Sequence, residues 1–264
     1  MTTATAGDPA GPDRLLRYGP HDDQRIELSH PRGQPRGTVV LIHGGYWREP
    51  FTAALMHPLV PEFTARGWAV ANLEYRRGGA GWAAMHDDLV AGLAAVRSTT
   101  PTPAPDARLA LVGHSVGGQL ALLGGEEGDA VVALAPVTDI ARGYHESIGD
   151  GAVAEFFHDA PAVIPETYAQ ASPIAQLPPR AAVLLVHGAD DTRVPLAHTH
   201  AYLQAARAAA AHPNAVQGEN PPAGATPTLL ELPHLSHLDA IAPDAPHWPR
   251  VHTWLDHWQH PPRM

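Results

Sequence analysis

Apolar runs and amphipathic stretches alternate along most of the chain. The strongest run, residues 38–42, is wholly β-branched or aliphatic, which predicts a strand buried on both faces of a parallel sheet. Similar runs predict further strands at residues 68–74, 108–112, 131–135, 183–186 and 229–232. Residues 25–29 predict an early edge strand.

The stretches between these runs have the composition and spacing of helices. Helices are predicted at residues 51–66 (interrupted by Pro58 and Pro61), 82–97, 196–211 and 245–259. The alternation predicts an α/β fold, with a mostly parallel central sheet and helices on both faces.

Domain organisation follows from where the alternation fails. Residues 1–13 are predicted to be disordered, and residues 14–264 to form a single domain. Residues 137–177 break the alternation between two predicted strands, which indicates a short cap-like insertion. Its aromatic residues could line a substrate pocket or pack the insertion on the body. The Pro/Gly-rich residues 212–227 predict a loop.

Composition excludes several classes of function. The formal net charge of −10, without a run of like charges, argues against nucleic-acid binding by a basic face. The absence of cysteine excludes disulfides, thiolate metal sites and a cysteine nucleophile. The N-terminus lacks the apolar segment of a signal peptide, and no apolar stretch has transmembrane length. We therefore expect a cytoplasmic protein with neither a membrane nor a nucleic-acid partner, and leave a homodimer open.

The 18 histidines raise the question of a metal site. His198 and His200, and likewise His252 and His257, have spacings that could place two rings on one side of an element. No His-Glu-x-x-His segment and no cluster of three ligands accompanies them. We therefore expect no metal and no other cofactor.

Residues 113–117, Gly-His-Ser-Val-Gly, follow the predicted strand at 108–112 directly. Gly-x-Ser-x-Gly at a strand-to-helix turn is the pattern of a nucleophile elbow, in which glycines flank the serine because larger side chains would collide. Small and apolar residues after it predict the helix that this motif requires. Ser115 is the predicted nucleophile.

Residues 43–47, His-Gly-Gly-Tyr-Trp, follow the central predicted strand. Glycines at such a turn let backbone amides point towards a developing oxyanion. We expect an oxyanion hole from the amides of Gly44, Gly45, Tyr46 and Val116. His43 is predicted to brace this loop. Candidate substrate contacts are Tyr46, Trp47 and His114, although the first two could equally cover the core.

The last two predicted strands are followed by candidate acids and bases. Asp191 fits the Asp-x-x-Val-Pro pattern of an acid that orients a catalytic histidine, with Asp190 as the alternative. His237 is the predicted general base and His234 the alternative. The order serine, aspartate, histidine along the chain is the order of α/β-hydrolases.

The chain resembles the α/β-hydrolases over residues 25–258. Residues 43–47 resemble the His-Gly-Gly-x-Trp motif of the kynurenine formamidases (arylformamidases) and their esterase relatives, and residues 237–239 are similar to the segment around their catalytic histidine. The resemblance implies cleavage of a formyl amide or a small ester through an acyl-enzyme. Val116 and Gln119 stand where those formamidases tend to have alanine and histidine. This departure is familiar from general esterases of the superfamily.

The sequence therefore predicts a serine hydrolase of the carboxylesterase or arylformamidase type, acting on a small-molecule ester or amide. The two alternatives are a non-catalytic homologue that binds a small ligand and a peptidase of the same fold. The intact set of Ser115, Asp191 and His237 argues against the former. The absence of a propeller or large gating domain argues against the latter.

Overall fold

The computed structural model describes residues 11–99, 109–211 and 226–259. The strands are β1 (Arg14–Arg17), β2 (Arg25–Ser29), β3 (Thr38–Ile42), β4 (Ala69–Leu73), β5 (Leu109–His114), β6 (Ala130–Leu134), β7 (Ala182–Gly188) and β8 (Thr228–Leu232). The α-helices are α1 (Val60–Thr64), α2 (Gly81–Thr99), α3 (Val116–Gly124), α4 (Ile140–His145), α5 (Ile148–Phe157), α6 (Pro165–Ala171), α7 (Leu196–Ala211) and α8 (Trp248–Gln259).

All these strands join one sheet in the order β1-β2-β4-β3-β5-β6-β7-β8. From β4 to β8 neighbouring strands are parallel, whereas β2 pairs antiparallel with both β1 and β4. The predicted α/β fold with a mostly parallel sheet is confirmed. The prediction that residues 25–29 form the edge was wrong, because β1 covers that side of β2.

Both faces of the central strands are buried, as the apolar runs predicted. Along β3, Val40 and Ile42 pack into one core, and Val39 and Leu41 into another on the opposite face. Helices α2 and α3 contribute to the first core and α8 to the second. Since successive strand residues point to opposite faces, a wholly apolar run serves both cores.

The predicted helix at residues 51–66 is two shorter elements. A 3-10 helix at Ala53–Leu59 contains Pro58, and α1 follows with Pro61 in its first turn. Proline lacks the N–H that a continuous α-helix requires and is tolerated in a first turn. The two prolines therefore divide the segment.

The segment 137–177 lies between β6 and β7 and contains α4, α5, α6 and a 3-10 helix at Pro173–Gln176. Its aromatic residues Phe156, Phe157 and Tyr168 are buried in the same core as α2 and α3. Packing on the body therefore accounts for these three rings.

Two sequence predictions concern residues that are largely outside the described ranges, namely the disorder of residues 1–13 and the loop at 212–227. Within the described ranges, no helix is both long and apolar enough to span a bilayer.

Candidate active site

The predicted site residues follow four strands, β3, β5, β7 and β8. These strands run parallel to one another, so their carboxyl ends meet at one edge of the sheet. Ligands and reacting groups of open α/β sheets collect at this edge. The fold thus brings residues from four distant parts of the sequence to one place.

Ser115 lies on the turn between β5 and α3 with φ 58° and ψ −115°. This conformation is strained for a residue with a side chain. The backbone N–H of Ser115 donates to Leu134 O on β6 at 2.9 Å, which anchors the turn. A Cβ at Gly113 would collide with the backbone of Gly117, and one at Gly117 with the Ile42 carbonyl, so larger residues do not fit. Ser115 therefore stands on a sharp strand-to-helix turn whose flanking positions accept only glycine.

His237 and Asp191 are joined by a hydrogen bond of 2.7 Å between Nδ1 and Oδ2. The other carboxylate oxygen of Asp191 accepts the backbone N–H groups of Arg193 and Val194, each at 2.9 Å. Burial alone would raise the pKa of Asp191, but hydrogen bonds from histidine and backbone outweigh it, and the pKa lies below its ordinary value. Asp191 is therefore an ionised acceptor that fixes the His237 ring.

His187, at the end of β7, is a second partner of this carboxylate. Its Nε2 lies 2.9 Å from Val194 O and 3.3 Å from Asp191 Oδ2, and its Nδ1 lies 2.7 Å from Thr199 Oγ1. Its ring is fully buried. His187 thus positions Asp191 from below, a role that the sequence did not reveal.

His114 ties the turn at Ser115 to the loop of His237. Its Nε2 lies 2.8 Å from the carbonyl oxygen of His237, and the two ring centroids are 4.6 Å apart. Burial lowers the pKa of His114 to about 3, so the ring is neutral and Nε2–H is the donor. The sequence suggested a substrate contact here, but the structure places the buried ring against the loop of His237.

The loop at residues 43–47 lies directly against Ser115. A Cβ on Gly44 would be 2.9 Å from the Cβ of Ser115 and 2.7 Å from His114 O. Gly45, Tyr46 and Trp47 all have positive φ, at 123°, 59° and 58°. Val116 is the first residue of α3, where backbone N–H groups have no partner within the helix. The residues predicted to form the oxyanion hole therefore lie in the loop that contacts Ser115 and at the start of α3, directly after Ser115.

A buried ionic cluster holds this loop from below. His43 Nδ1 lies 2.6 Å from Gly44 O, and its Nε2 lies 3.0 Å from Glu74 Oε1 at the end of β4. Glu74 also accepts from Arg77 at 2.7 Å. Because C=O and N–H of one peptide point in opposite directions, fixing the Gly44 carbonyl also fixes the Gly45 N–H. His43 braces the loop as predicted, while the role of Glu74 was missed.

Trp47 and Tyr46 have different environments. Trp47 is buried, stacks on Phe156 at 5.9 Å and donates from Nε1 to Gln119 Oε1 at 3.2 Å. Gln119 in turn donates to Ala171 O at 2.7 Å, linking the loop to α6. Trp47 is thus a core residue, whereas Tyr46 is half-buried and borders an open cavity.

The alternatives from the sequence pair with each other at the surface. His234 Nδ1 lies 3.1 Å from Asp190 Oδ2, and both side chains are mostly exposed. Among residues 11–99, 109–211 and 226–259, no group of three or more His, Cys, Asp or Glu side chains could hold a metal ion. His198 and His200 instead contact Glu146 and Glu231, each at 2.8 Å.

Residues 26–205 match the model of the BD-FAE family. The chain belongs to the BD-FAE family. This match covers more than half of the sequence, and the chain is an esterase-like hydrolase with the α/β-hydrolase fold. No curated protein matches its sequence.

Several solved structures share the fold of this BD-FAE family member. A truncated carbohydrate esterase from gut microbiota is 19% identical with a TM-score of 0.71, covering 95% of this chain and 99% of that one. Esterase B from Lactobacillus rhamnosis is 19% identical with a TM-score of 0.72, covering 96% and 88%. The propionate-bound esterase Est2 of Thermogutta terrifontis is 16% identical with a TM-score of 0.70, covering 98% of both chains. At these identities the likeness concerns the fold.

Proposed function

We propose that the protein is a serine esterase that cleaves small carboxylic esters through an acyl-enzyme, with Ser115 as nucleophile, His237 as general base and Asp191 as its orienting acid. The observation that carries this proposal is the 2.7 Å bond between His237 and Asp191 at the sheet edge where the Ser115 elbow lies. A nucleophile, a base and a group that orients the base are the parts that acyl transfer needs.

The first half of the reaction forms the acyl-enzyme. His237 Nε2 takes the proton from Ser115 Oγ as that oxygen attacks the ester carbonyl. The tetrahedral intermediate then collapses, the bond to the leaving alkoxide breaks, and His237 returns the proton to the departing oxygen. Asp191 holds Nδ1–H throughout and stabilises the imidazolium. In the second half, water takes the place of the serine hydroxyl and releases the acid.

The negative charge on the oxygen of the tetrahedral intermediate is stabilised by backbone N–H groups. We assign this role to the amides of Gly44, Gly45, Tyr46 and Val116. The contact of Gly44 with Ser115 and the positive φ angles along the loop support this role. Each such donor typically contributes about 3 kcal/mol to the transition state. Because the cluster of His43 and Glu74 fixes the loop before substrate arrives, little reorganisation is needed.

An aryl formamide is the second candidate substrate, favoured by the His-Gly-Gly-x-Trp motif at residues 43–47. The same residues would perform the same steps, with an amine in place of an alkoxide as leaving group. Val116 and Gln119 after the nucleophile favour the ester.

A side-by-side kinetic measurement tests the proposal. We expect higher kcat/KM for 4-nitrophenyl acetate or butyrate than for N-formylkynurenine, with Ser115→Ala as the blank. A strong preference for N-formylkynurenine would favour the formamidase candidate. Turnover of none of the three compounds by correctly folded protein would contradict both.

A further inference from the structure

Arg193 and Tyr46 meet across the mouth of the proposed active site. Arg193 Nη1 donates to Tyr46 Oη, and the guanidinium lies 5.6 Å from the centroid of the Tyr46 ring. Tyr46 follows β3 and Arg193 follows β7, and in the sheet β5 and β6 lie between these two strands. The contact therefore spans the carboxyl ends of β5 and β6, where Ser115 lies.

An open cavity of about 380 Å³ adjoins this contact. Tyr46 forms one side, Thr192 and Arg193 from the Asp191 loop form another, and residues 146–150 of the cap-like segment complete it. Tyr46 is in the proposed oxyanion loop, and Arg193 is two residues from the proposed acid. A substrate group in this cavity would thus contact the proposed oxyanion loop and the loop of the proposed acid.

The charges around the cavity are unequally compensated. Arg48, on the Tyr46 ring at 5.4 Å, forms a two-nitrogen ion pair with Glu155 at 2.5 to 3.1 Å. Glu146 accepts from Arg142 at 2.6 Å and contacts His198 at 2.8 Å. The hydrogen bond and charge of Glu155, with a smaller contribution from Asp150, raise the pKa of Arg48. In the described part of the chain, Arg193 has no carboxylate within ion-pair distance.

The guanidinium of Arg193 also has donors to spare. An arginine carries five N–H donors in a planar fork that matches the two oxygens of a carboxylate. One nitrogen is engaged by the neutral hydroxyl of Tyr46, which orients the fork without cancelling its charge. The side chain is exposed, so an incoming anion can reach it.

We propose that Arg193 binds a carboxylate carried by the substrate, so that the preferred substrates are esters of anionic small molecules. This inference rests on the proposed function and adds the substrate class to it. Tyr46 positions the guanidinium, and the charge-assisted bonds between Arg193 and the carboxylate supply specificity.

Two pairs of compounds test whether Arg193 binds a substrate carboxylate. Within each pair, one compound is anionic and the other is neutral. In the first, the mono-4-nitrophenyl ester of glutaric acid is compared with 4-nitrophenyl pentanoate, which places the carboxylate on the acyl side. In the second, 4-acetoxybenzoate is compared with 4-acetoxybenzamide, which places it on the leaving group. Wild type, Arg193→Gln and the matched control Arg48→Gln are assayed on all four compounds. For each compound, kcat/KM of a variant is divided by that of wild type. This ratio removes the differences in intrinsic reactivity between the compounds.

For at least one anionic compound, we expect Arg193→Gln to lower kcat/KM about tenfold or more, mainly through KM, and to change its neutral partner less than about twofold. Arg48→Gln removes the other positive charge that lies over the Tyr46 ring. We expect this variant to lose no more activity on the anionic compounds than on their neutral partners. Equal losses on charged and neutral compounds in Arg193→Gln, or the same selective loss in Arg48→Gln, would overturn the inference while leaving the esterase proposal intact. Turnover of no compound by wild type would overturn the proposed function and this inference with it.

Discussion

At the scale of single residues, environment separates side chains that the sequence presents as equals. Asp190 and Asp191 are neighbours, yet Asp191 is buried and bonded to His237 while Asp190 is exposed and bonded to His234. A buried, hydrogen-bonded carboxylate can fix an imidazole, whereas an exposed ion pair contributes little. The two aspartates therefore form an internal control for the proposed mechanism.

Asp191→Asn is predicted to lower kcat on a small ester by about 10²- to 10⁴-fold, because an amide can no longer hold the productive tautomer of His237. KM should change little, since no substrate contact is lost. Asp190→Asn should stay within about twofold of wild type. Steady-state kinetics on 4-nitrophenyl acetate makes the comparison, and comparable losses in the two variants would refute the assignment.

The sequence predicted residues whose motif lies in one short segment. Ser115 and Gly44 belong to motifs of this kind, and Asp191 and His237 follow predicted strands. The residues it missed act through distant partners. Glu74 contacts His43 from 31 positions away, and Arg193 contacts Tyr46 from 147. Such pairs depend on the order of strands in the sheet, which no local pattern contains.

At the scale of elements, the proposed oxyanion loop takes its shape from the elements beneath it. The end of β4 supplies Glu74 to His43, and α3 supplies Gln119 to Trp47. Tyr75 adds a bond from its hydroxyl to His43 O at 2.7 Å and stacks on the same ring at 4.4 Å. The loop is therefore preorganised by buried polar contacts.

Glu74→Gln is predicted to lower both stability and kcat. Removing the carboxylate of a buried ionic cluster leaves Arg77 without its close counter-charge, and the free energy of unfolding should fall by about 3 kcal/mol or more. The loosened loop should also reduce kcat more than it raises KM. Urea denaturation and ester kinetics measure the two effects.

Glu231→Gln provides the matched control. Glu231 also contacts a histidine, His200, at 2.8 Å, but both side chains are about half exposed. This variant should lose less than about 1 kcal/mol and retain its kcat. Equal destabilisation in the two variants would mean that the Glu74 cluster does not hold the loop.

Predictions of elements succeeded where the pattern was strong. The strand at 38–42 and the helix at 196–211 have the predicted bounds. The strand β1 was missed because its four residues, Arg-Leu-Leu-Arg, are largely exposed and do not alternate. As a consequence, the position of β2 inside the sheet was missed as well.

At the scale of the whole molecule, buried histidines couple folding to pH. Burial lowers the pKa of His114 to about 3 and that of His247 to about 4. Below about pH 6.5, each of these histidines binds a proton in the unfolded chain. In the folded chain it stays neutral until the pH approaches its lowered pKa. The free energy of unfolding should therefore fall as pH drops from about 6.5 to 4.

His247→Leu isolates one such contribution at a residue outside the proposed set of Ser115, Asp191 and His237, and His247 packs against Trp248. Between pH 7 and pH 5, wild-type protein should lose about 2 kcal/mol of unfolding free energy more than this variant does. Urea denaturation at the two pH values measures the difference. Parallel losses in both proteins would contradict the lowered pKa of His247.

Ser115 is the proposed nucleophile, and covalent labelling identifies the reactive side chain. The protein is incubated with a fluorophosphonate and its mass is measured, with Ser115→Ala and Ser236→Ala treated in parallel. We predict one adduct per chain in wild type and in Ser236→Ala, located at residue 115 by peptide mapping, and none in Ser115→Ala. An adduct that persists in Ser115→Ala, or no adduct in folded wild-type protein, would rule out Ser115 as the nucleophile.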